Sequence, residues 1–225
     1  MKTFSHTEKY LLERCEYMLK LPNEVIIDTI YDAEERNENG EKWDMDKYID
    51  QVRTLLVSVI SKKGNYNQSY KYSRGMKNQG RQYVKKFGIQ SLQKDLRGFL
   101  CGMLFNDYDM INAHPSILLY VRDKYFKKQK LPNLEMYIKN RNDVFKKWDI
   151  NKKQILISMN KATPMKTDNP FLLAIDKEFK QMQTLIFHST EDVFIDIPKT
   201  GLKKENKKGC FLNRSLCVFE NNILT

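Results

Sequence analysis

An acidic stretch follows a short apolar run in the middle of this 225-residue chain. The apolar run is Met103 to Phe105, and Asp107 and Asp109 come directly after it. Carboxylates are the hard oxygen ligands that Mg2+ prefers. Two such ions can activate a hydroxyl and stabilise the attacking and leaving oxygens of a phosphoryl transfer. A carboxylate placed before a helix in this way is typical of nucleotidyl transferases. The alternative is that Asp109 only caps the helix, since Asp accepts hydrogen bonds from unpaired backbone N–H groups.

A strand at about residues 103–109 is the element that would present these carboxylates. Side chains two positions apart share a strand face, so Asp107 lies beside Asp109. Asp107 then either supports Asp109 or binds the metal in its place. Pro115 fits the first turn of a following helix, where its missing N–H is harmless. The apolar face of that helix continues through Ile117, Leu118, Val121 and Tyr125.

The order of short motifs around Asp109 indicates a family. Gly80-Arg81, Leu92-Gln93 and Leu96-Arg97 precede Asp109, and residues 109–115 read Asp-x-x-Asn-Ala-His-Pro. This order resembles the palm of superfamily A DNA polymerases, where such elements precede the metal-binding aspartate of motif A. The likeness is closer to the transposon and viral branch related to that superfamily and to bacteriophage-type RNA polymerases. It extends from about residue 66 to residue 225.

The resemblance implies roles for individual residues. Asp109 would be the catalytic metal ligand, with Mg2+ as the cofactor. Arg81, Gln93 and Arg97 would contact the primer-template duplex and support the palm, although Arg97 is equally explained as an exposed helix residue or an ion-pair partner. His114 would line the wall near the nucleotide sugar. Cellular superfamily A members carry glutamate there, so sugar selection stays open.

A lysine pair is followed by a helix-like segment that resembles the fingers helix holding the incoming triphosphate. Its residues are Lys152, Lys153, Leu156 and Asn160. Lysines in the first helical turn oppose the helix macrodipole, so a demand for phosphate binding would explain them. Either lysine can match the basic residue of the family, and Asn160 is a further nucleotide-binding candidate. Simple solvation of the lysines is the alternative.

The last part of the sequence resembles the helix before motif C of these polymerases. The matching residues lie at 206–213, and Glu220 follows them. Motif C carries the second metal ligand, and we expect it to follow shortly after Thr225, which would make the chain a polymerase fragment. Asp192 and Asp196 precede this helix, and each is read more simply as a loop or strand-edge carboxylate.

Charge is distributed unevenly along the chain. Residues 1–60 contain 8 basic and 13 acidic residues, whereas residues 61–225 contain 31 basic and 15 acidic residues, a net charge of +16. A basic body of this kind favours binding of nucleic-acid phosphates, with tyrosines available for base stacking. The tyrosines that alternate with basic residues are Tyr66, Tyr70, Tyr72 and Tyr83.

The four cysteines show no Cys-x-x-Cys spacing, and the sequence contains neither a secretory signal nor a membrane-length apolar run. Disulfides and structural zinc are therefore not expected. We expect a soluble intracellular protein without membrane contact, in the host cytoplasm or nucleus if it is viral.

The apolar periodicity predicts an α+β fold, predominantly helical, with a short antiparallel sheet. A helical N-terminal subdomain would span 1–62, and a polymerase palm/fingers region, apparently incomplete at its C-terminus, would span 63–225. Predicted helices lie at 8–20, 23–35, from 44 or 46 through Val59, at 89–100, from Pro115, from 132 to 148, at 152–160, from Pro170 and from about 211. Residues 61–88 are predicted as loop with a short hairpin ending near 83–84, and residues 193–197 as a strand.

The resulting expectation is template-directed DNA synthesis by a two-metal mechanism in a viral or mobile element. Partners would be primer-template DNA, deoxynucleoside triphosphates and a replicative helicase. One alternative is a non-catalytic DNA-binding replication protein derived from a truncated polymerase. The other is a metal-dependent nuclease that uses Asp107, Asp109 and His114, which would not explain the order of the upstream motifs.

Overall fold

A computed structural model describes residues 3–29, 44–72, 76, 79–105 and 110–224. Asp107 and Asp109 lie outside the described residues. The described part is mostly helical with one small antiparallel sheet, which agrees with the predicted α+β class. The chain forms two compact units. We call Met1–Lys71 with Gln82–Asp109 the first unit, and Tyr72–Arg81 with Met110–Thr225 the second unit.

The first unit combines helices with the sheet. Its elements are β1 (Thr3–Lys9), α1 (Leu12–Leu19), α2 (Asn23–Thr29), α3 (Met45–Ser61), β2 (Asn65–Tyr72, whose last residue is counted in the second unit), β3 (Gln82–Val84), a 3₁₀ helix (Ile89–Ser91) and α4 (Lys94–Cys101). The strands lie in the order β1-β2-β3. β1 and β2 are antiparallel, with Thr3 opposite Lys71 and Lys9 opposite Asn65.

Helix α3 begins where the sequence predicts. The Asp44 side chain accepts a hydrogen bond from the Lys47 backbone N–H at 3.1 Å, and so caps the helix. Apolar residues at helical spacing form the core of this unit together with those of α1, α2 and α4. The predicted helix at 8–20 is wrong at its start, because residues through Lys9 pair with β2 and α1 begins only at Leu12.

A buried carboxylate joins β1 to β2 and to the 3₁₀ helix. Glu8 accepts hydrogen bonds from the Tyr10 hydroxyl at 2.6 Å, from the Tyr70 hydroxyl, and from the Ile89 backbone N–H at 3.2 Å. Burial and the Glu8 carboxylate raise the pKa of both tyrosines. Tyr70 and Tyr72 are buried, so their predicted role in base stacking is wrong for the folded unit.

The strand predicted at 103–109 is wrong over residues 103–105, and residues 106–109 are outside the described part. Residues 102–104 form a turn after α4, and Met103, Leu104 and Phe105 are exposed. A short apolar run fits a strand or a helix end equally well by periodicity, so its local sequence does not decide its structure.

Apart from Tyr72 at the end of β2, the regular elements of the second unit in its described part are helices. Its helices are α5 (Ala113–Tyr125), α6 (Pro132–Lys139), α7 (Arg141–Trp148), α8 (Lys152–Asn160), α9 (Pro170–Phe187), α10 (Asp192–Ile195) and α11 (Lys207–Leu224), with a 3₁₀ helix at Lys204–Asn206. Helix α8 confirms its predicted bounds, and α9 confirms its predicted start at Pro170. Asn151 and Gln154 form a capping box for α8, and Asn169 caps α9. Helix α11 begins four residues before the predicted start.

The strand predicted at 193–197 is wrong, because Asp192–Ile195 forms the short helix α10. Its Phe194 is fully buried and contacts the rings of Tyr125, Phe126 and Phe219. The apolar residues that suggested a strand therefore have a different role, because Phe194 anchors the short helix in the core.

A tight junction joins the end of α8 to the start of α11. The Asn206 side chain donates to the carbonyl of Asn160 at 3.0 Å and accepts from the Ala162 backbone N–H at 2.6 Å. A Cβ atom at Gly209 would overlap the Asn160 carbonyl oxygen. The Asn-x-x-Gly pattern at 206–209 therefore has a packing explanation in this chain.

None of the helices in the described ranges is both long enough and apolar enough to cross a membrane.

Gly209→Ala should destabilise the protein by about 1–3 kcal/mol, because the added methyl group forces α8 and α11 apart. Gly98→Ala is the matched control: it lies in α4 with open space around its Cβ position. The control should stabilise the protein by about 0.5–1 kcal/mol, since Gly in a helix interior is less stable than Ala. Urea denaturation of both variants measures these differences. Equal stability of the two variants would contradict the close approach at Gly209.

Candidate functional site

The Asn-Ala-His-Pro segment begins helix α5 in the second unit. Asn112 adopts the left-handed conformation at the N-cap, with φ 53° and ψ 40°, which Asn tolerates better than most residues. Its side-chain oxygen accepts a hydrogen bond from the Tyr137 hydroxyl at 3.2 Å. Pro115 is buried in the first turn, as predicted. The turn at Asn112 thus fixes the backbone position from which the His114 side chain projects.

His114 faces two side chains of α11. Its Nε2 atom lies 3.6 Å from Glu220 Oε2 and 3.8 Å from Cys217 Sγ. Cys217 and Glu220 are three residues apart, so they share one face of the helix. The carboxylate of Glu220 is largely buried, with 11% of the side chain exposed. We call His114, Cys217 and Glu220, together with Arg81, the His114 cluster.

Arg81 completes the cluster from the segment 79–81. Its Nε and Nη2 atoms donate to Glu220 Oε2 at 2.8 and 2.5 Å. Gly80 precedes it with φ +77°, a conformation that L side chains rarely adopt, and lies close to Val218 of α11. The Arg81 side chain is 52% exposed. The cluster therefore has one cation that reaches solvent and one carboxylate that is buried behind it.

The electrostatic balance of the cluster favours neutral His114. Burial lowers the pKa of His114, the Glu220 carboxylate raises it, and the Arg81 guanidinium lowers it. The net effect places the pKa below the ordinary value of 6.5. Burial also raises the pKa of the Cys217 thiol, against the opposing effect of Arg81. Near neutral pH the cluster therefore holds a neutral imidazole and a protonated thiol between the two charged groups.

The other predicted DNA contacts lie in the first unit. Gln93 stands at the N-cap of α4, where its backbone N–H donates to the Tyr48 hydroxyl at 2.8 Å. Arg97 is exposed on the same helix. Of the three predicted duplex-contacting residues, only Arg81 belongs to the His114 cluster.

The predicted nucleotide-binding residues of α8 are not members of the His114 cluster. Lys152 and Lys153 are exposed in the first turn. Asn160, at the other end, donates its side-chain amide to the Leu156 carbonyl at 3.0 Å and contacts the start of α11 near Gly209. Glu220 lies about 16 Å further along α11 at 1.5 Å per residue. Asn160 is therefore not brought to the cluster, and its described contacts hold α8 and α11 together.

Two members of the cluster have roles that the sequence does not indicate. Cys217 was not predicted as a site residue, and Glu220 was noted only as part of the helix resembling the one before motif C. The three-residue spacing of Cys217 and Glu220 is a weak signal, because it places both on one helix face. Their partner across the interface, His114, is set by tertiary packing.

The donor atoms of the cluster differ from those that the expected Mg2+ requires. Magnesium requires oxygen ligands in a near-octahedral arrangement. Within the described part, the cluster offers one nitrogen, one sulfur and a single carboxylate. These residues do not fit Mg2+, and the predicted magnesium ligands Asp107 and Asp109 lie outside the described residues.

The chain matches no protein-family model, no curated protein and no solved structure.

Substitutions around His114 should shift its pKa in opposite directions. Glu220→Gln removes a negative charge and should lower the pKa of His114 further, whereas Arg81→Gln removes a positive charge and should raise it. NMR titration of the imidazole C–H signals measures both shifts.

The same shift has a consequence for stability. The folded-state pKa of His114 lies below its unfolded value, so its contribution to stability is present above about pH 6.5 and is lost as the pH falls. A His114→Gln variant should lack this part of the acid sensitivity. If the Glu220→Gln and Arg81→Gln substitutions shifted the pKa of His114 in the same direction, the described arrangement would be contradicted.

Proposed function

We propose that the chain is part of a template-directed nucleic-acid polymerase, and that the His114 cluster lies in its nucleotide-handling region. One observation carries the proposal: Arg81, His114 and Glu220 meet in space although they come from distant parts of the sequence. Each belongs to a different segment of the polymerase resemblance. If the likeness of the three short motifs were due to chance, there would be no reason for these three residues to lie in contact.

The chemistry of the cluster suits contact with a phosphorylated ligand. A guanidinium binds phosphate oxygens through a planar fork of N–H donors. The Arg81 side chain is half exposed and forms an ion pair with Glu220. His114 stands behind it as a neutral group, available to donate or accept a hydrogen bond at a sugar hydroxyl. Arg81 would orient the phosphate, and Glu220 would orient Arg81.

The charge distribution supports a polyanionic partner. Residues 61–225 have a net charge of +16, and the lysines at the start of α8 are exposed. Primer-template DNA and nucleoside triphosphates are the partners we propose, together with a replicative helicase. Affinity for nucleic acid should then fall steeply with salt concentration, because binding releases counterions.

The metal-dependent step is assigned by resemblance alone. Asp109, with Asp107 beside it in the sequence, would hold Mg2+, which supplies activation of the attacking hydroxyl and neutralisation of the leaving phosphates. Residues of the described cluster would act by binding and orienting the nucleotide and by excluding water.

A second candidate is a non-catalytic nucleic-acid-binding protein that descends from such a polymerase. The observation in its favour is that the described cluster contains a single carboxylate, whereas a two-metal centre needs several oxygen ligands. Activity measurements separate the two candidates, because both require nucleic-acid binding and only the first requires nucleotide incorporation.

Asp109→Asn should lower Mg2+-dependent primer extension by about 100-fold or more while leaving primer-template affinity nearly unchanged, since metal chemistry and phosphate neutralisation are separate contributions. Extension on a labelled primer and fluorescence anisotropy of the same duplex measure the two quantities. Asp95→Asn, on the exposed face of α4, is the matched control. Binding without any extension would favour the non-catalytic candidate, and extension that survives Asp109→Asn would reject the assignment of Asp109.

Lys153→Ala should weaken the apparent affinity for nucleotides about tenfold, the effect of losing one charge-assisted hydrogen bond. Stability should change by less than about 0.5 kcal/mol, because the side chain is exposed. Lys177→Ala is the control, being an exposed lysine on the neighbouring helix α9. Equal nucleotide affinity of the two variants would show that Lys153 only solvates the surface.

A further inference from the structure

We propose that His114, Cys217 and Glu220 bind one divalent transition-metal ion of the Zn2+ class, and that this ion competes with Arg81 for Glu220. Its donor set differs from the carboxylate oxygens that the resemblance assigns to Mg2+ at Asp109. The site does not depend on the proposed polymerase function, because it follows from the donor atoms and their distances.

The distances between donor atoms are close to those around zinc. Zinc binds nitrogen at about 2.0 Å and thiolate at about 2.3 Å in a tetrahedron, so neighbouring ligand atoms lie about 3.3–3.6 Å apart. His114 Nε2 lies 3.6 Å from Glu220 Oε2 and 3.8 Å from Cys217 Sγ. All three donor atoms lie within 4.8 Å of one another. Small side-chain rotations would therefore bring them to coordinating positions.

The scaffold holds these donors in place before any ion binds. Helices α5 and α11 pack against each other, and Val218 and Phe219 between the two ligands of α11 are buried. His114 is fixed by the turn at Asn112, which is itself bonded to Tyr137. Binding therefore requires little ordering of the chain, which favours affinity.

The donor set selects the class of ion. One imidazole nitrogen, one sulfur and one carboxylate oxygen suit zinc and similar transition metals, whereas Mg2+ and Ca2+ prefer oxygen alone. On binding, the Cys217 thiol releases its proton to solvent and the sulfur donates an electron pair to the metal. The fourth position is left for water, as in zinc sites that bind a substrate.

Arg81 would compete with the metal ion for the Glu220 carboxylate. Its guanidinium donates twice to Glu220 Oε2. A divalent ion at the same carboxylate would repel this cation at short range. The Arg81 side chain is half exposed, so it can turn towards solvent when the ion enters. Metal binding and the Arg81–Glu220 pair should therefore exclude each other, and removal of the arginine charge should strengthen metal binding.

The test is titration of the reduced full chain with Zn2+ alone, in competition with a chromogenic chelator, and with Co2+ as a spectroscopic probe of thiolate ligation. We expect one ion per chain and a Co2+–thiolate absorption band. Cys217→Ser and His114→Gln should each weaken Zn2+ binding by about 100-fold or more, since even partners outside the ligand shell contribute 10–100-fold. Cys210→Ser, which changes a partly exposed cysteine on the same helix, should leave the affinity unchanged.

Arg81→Gln provides an independent readout, because it should tighten Zn2+ binding on the order of tenfold by removing a nearby positive charge. A merely structural arginine would leave the affinity unchanged or lower. Circular dichroism confirms folding of each variant, and Cys217→Ser changes a single atom. No Zn2+ binding by the native chain, or equal affinity in Cys217→Ser and Cys210→Ser, would overturn the site. Unchanged or weaker binding in Arg81→Gln would overturn the competition.

Discussion

The Glu220 carboxylate is buried on helix α11, and a buried carboxylate is destabilising unless a cation and hydrogen bonds compensate for the lost water. Arg81 supplies both from a position 139 residues earlier in the sequence. His114 faces the same oxygen from the first turn of α5. This one charge therefore ties the 79–81 segment, the start of α5 and the end of α11 together. The positive φ of Gly80 and its approach to Val218 are the backbone conditions for that pairing.

Local signals in the sequence were sufficient for most helices. Helices α8 and α9 begin where predicted, because their N-caps Asn151 and Asn169 depend on hydrogen bonds within a few residues. Two strand predictions are wrong, one at 193–197 and one over residues 103–105 of the predicted 103–109, because tertiary contacts decide the structure of short apolar runs. Burial of Phe194 is one such contact. Strand β1 was missed because its residues are mostly polar, and its pairing with β2 depends on the distant Tyr70 and on burial of Glu8.

The candidate site was predictable only in part. The motif at 109–115 led to His114, and the Gly-Arg pair led to Arg81, since each is recognisable from adjacent residues. The partners Cys217 and Glu220 were not predictable, because nothing within α11 indicates that this face packs against α5. For the tyrosines of β2, the sequence suggested a functional surface that the fold buries. Composition suggested a stacking surface, but the two-residue period of the strand turns Tyr70 and Tyr72 into the interior.

The proposed phosphate contact by Arg81 and the proposed Zn2+ site both use the carboxylate of Glu220, so the two are coupled. While Arg81 is bonded to Glu220, its side chain is held at the cluster and is 52% exposed, the state in which we propose that it meets a phosphate. A Zn2+ ion on Glu220 would release Arg81 and occupy His114, the neutral group behind it. Metal occupancy would thus remove the two groups that we assign to nucleotide orientation at the same time. Because one carboxylate cannot neutralise both cations in a buried setting, a transition-metal ion at this cluster would act as an inhibitor of nucleotide binding.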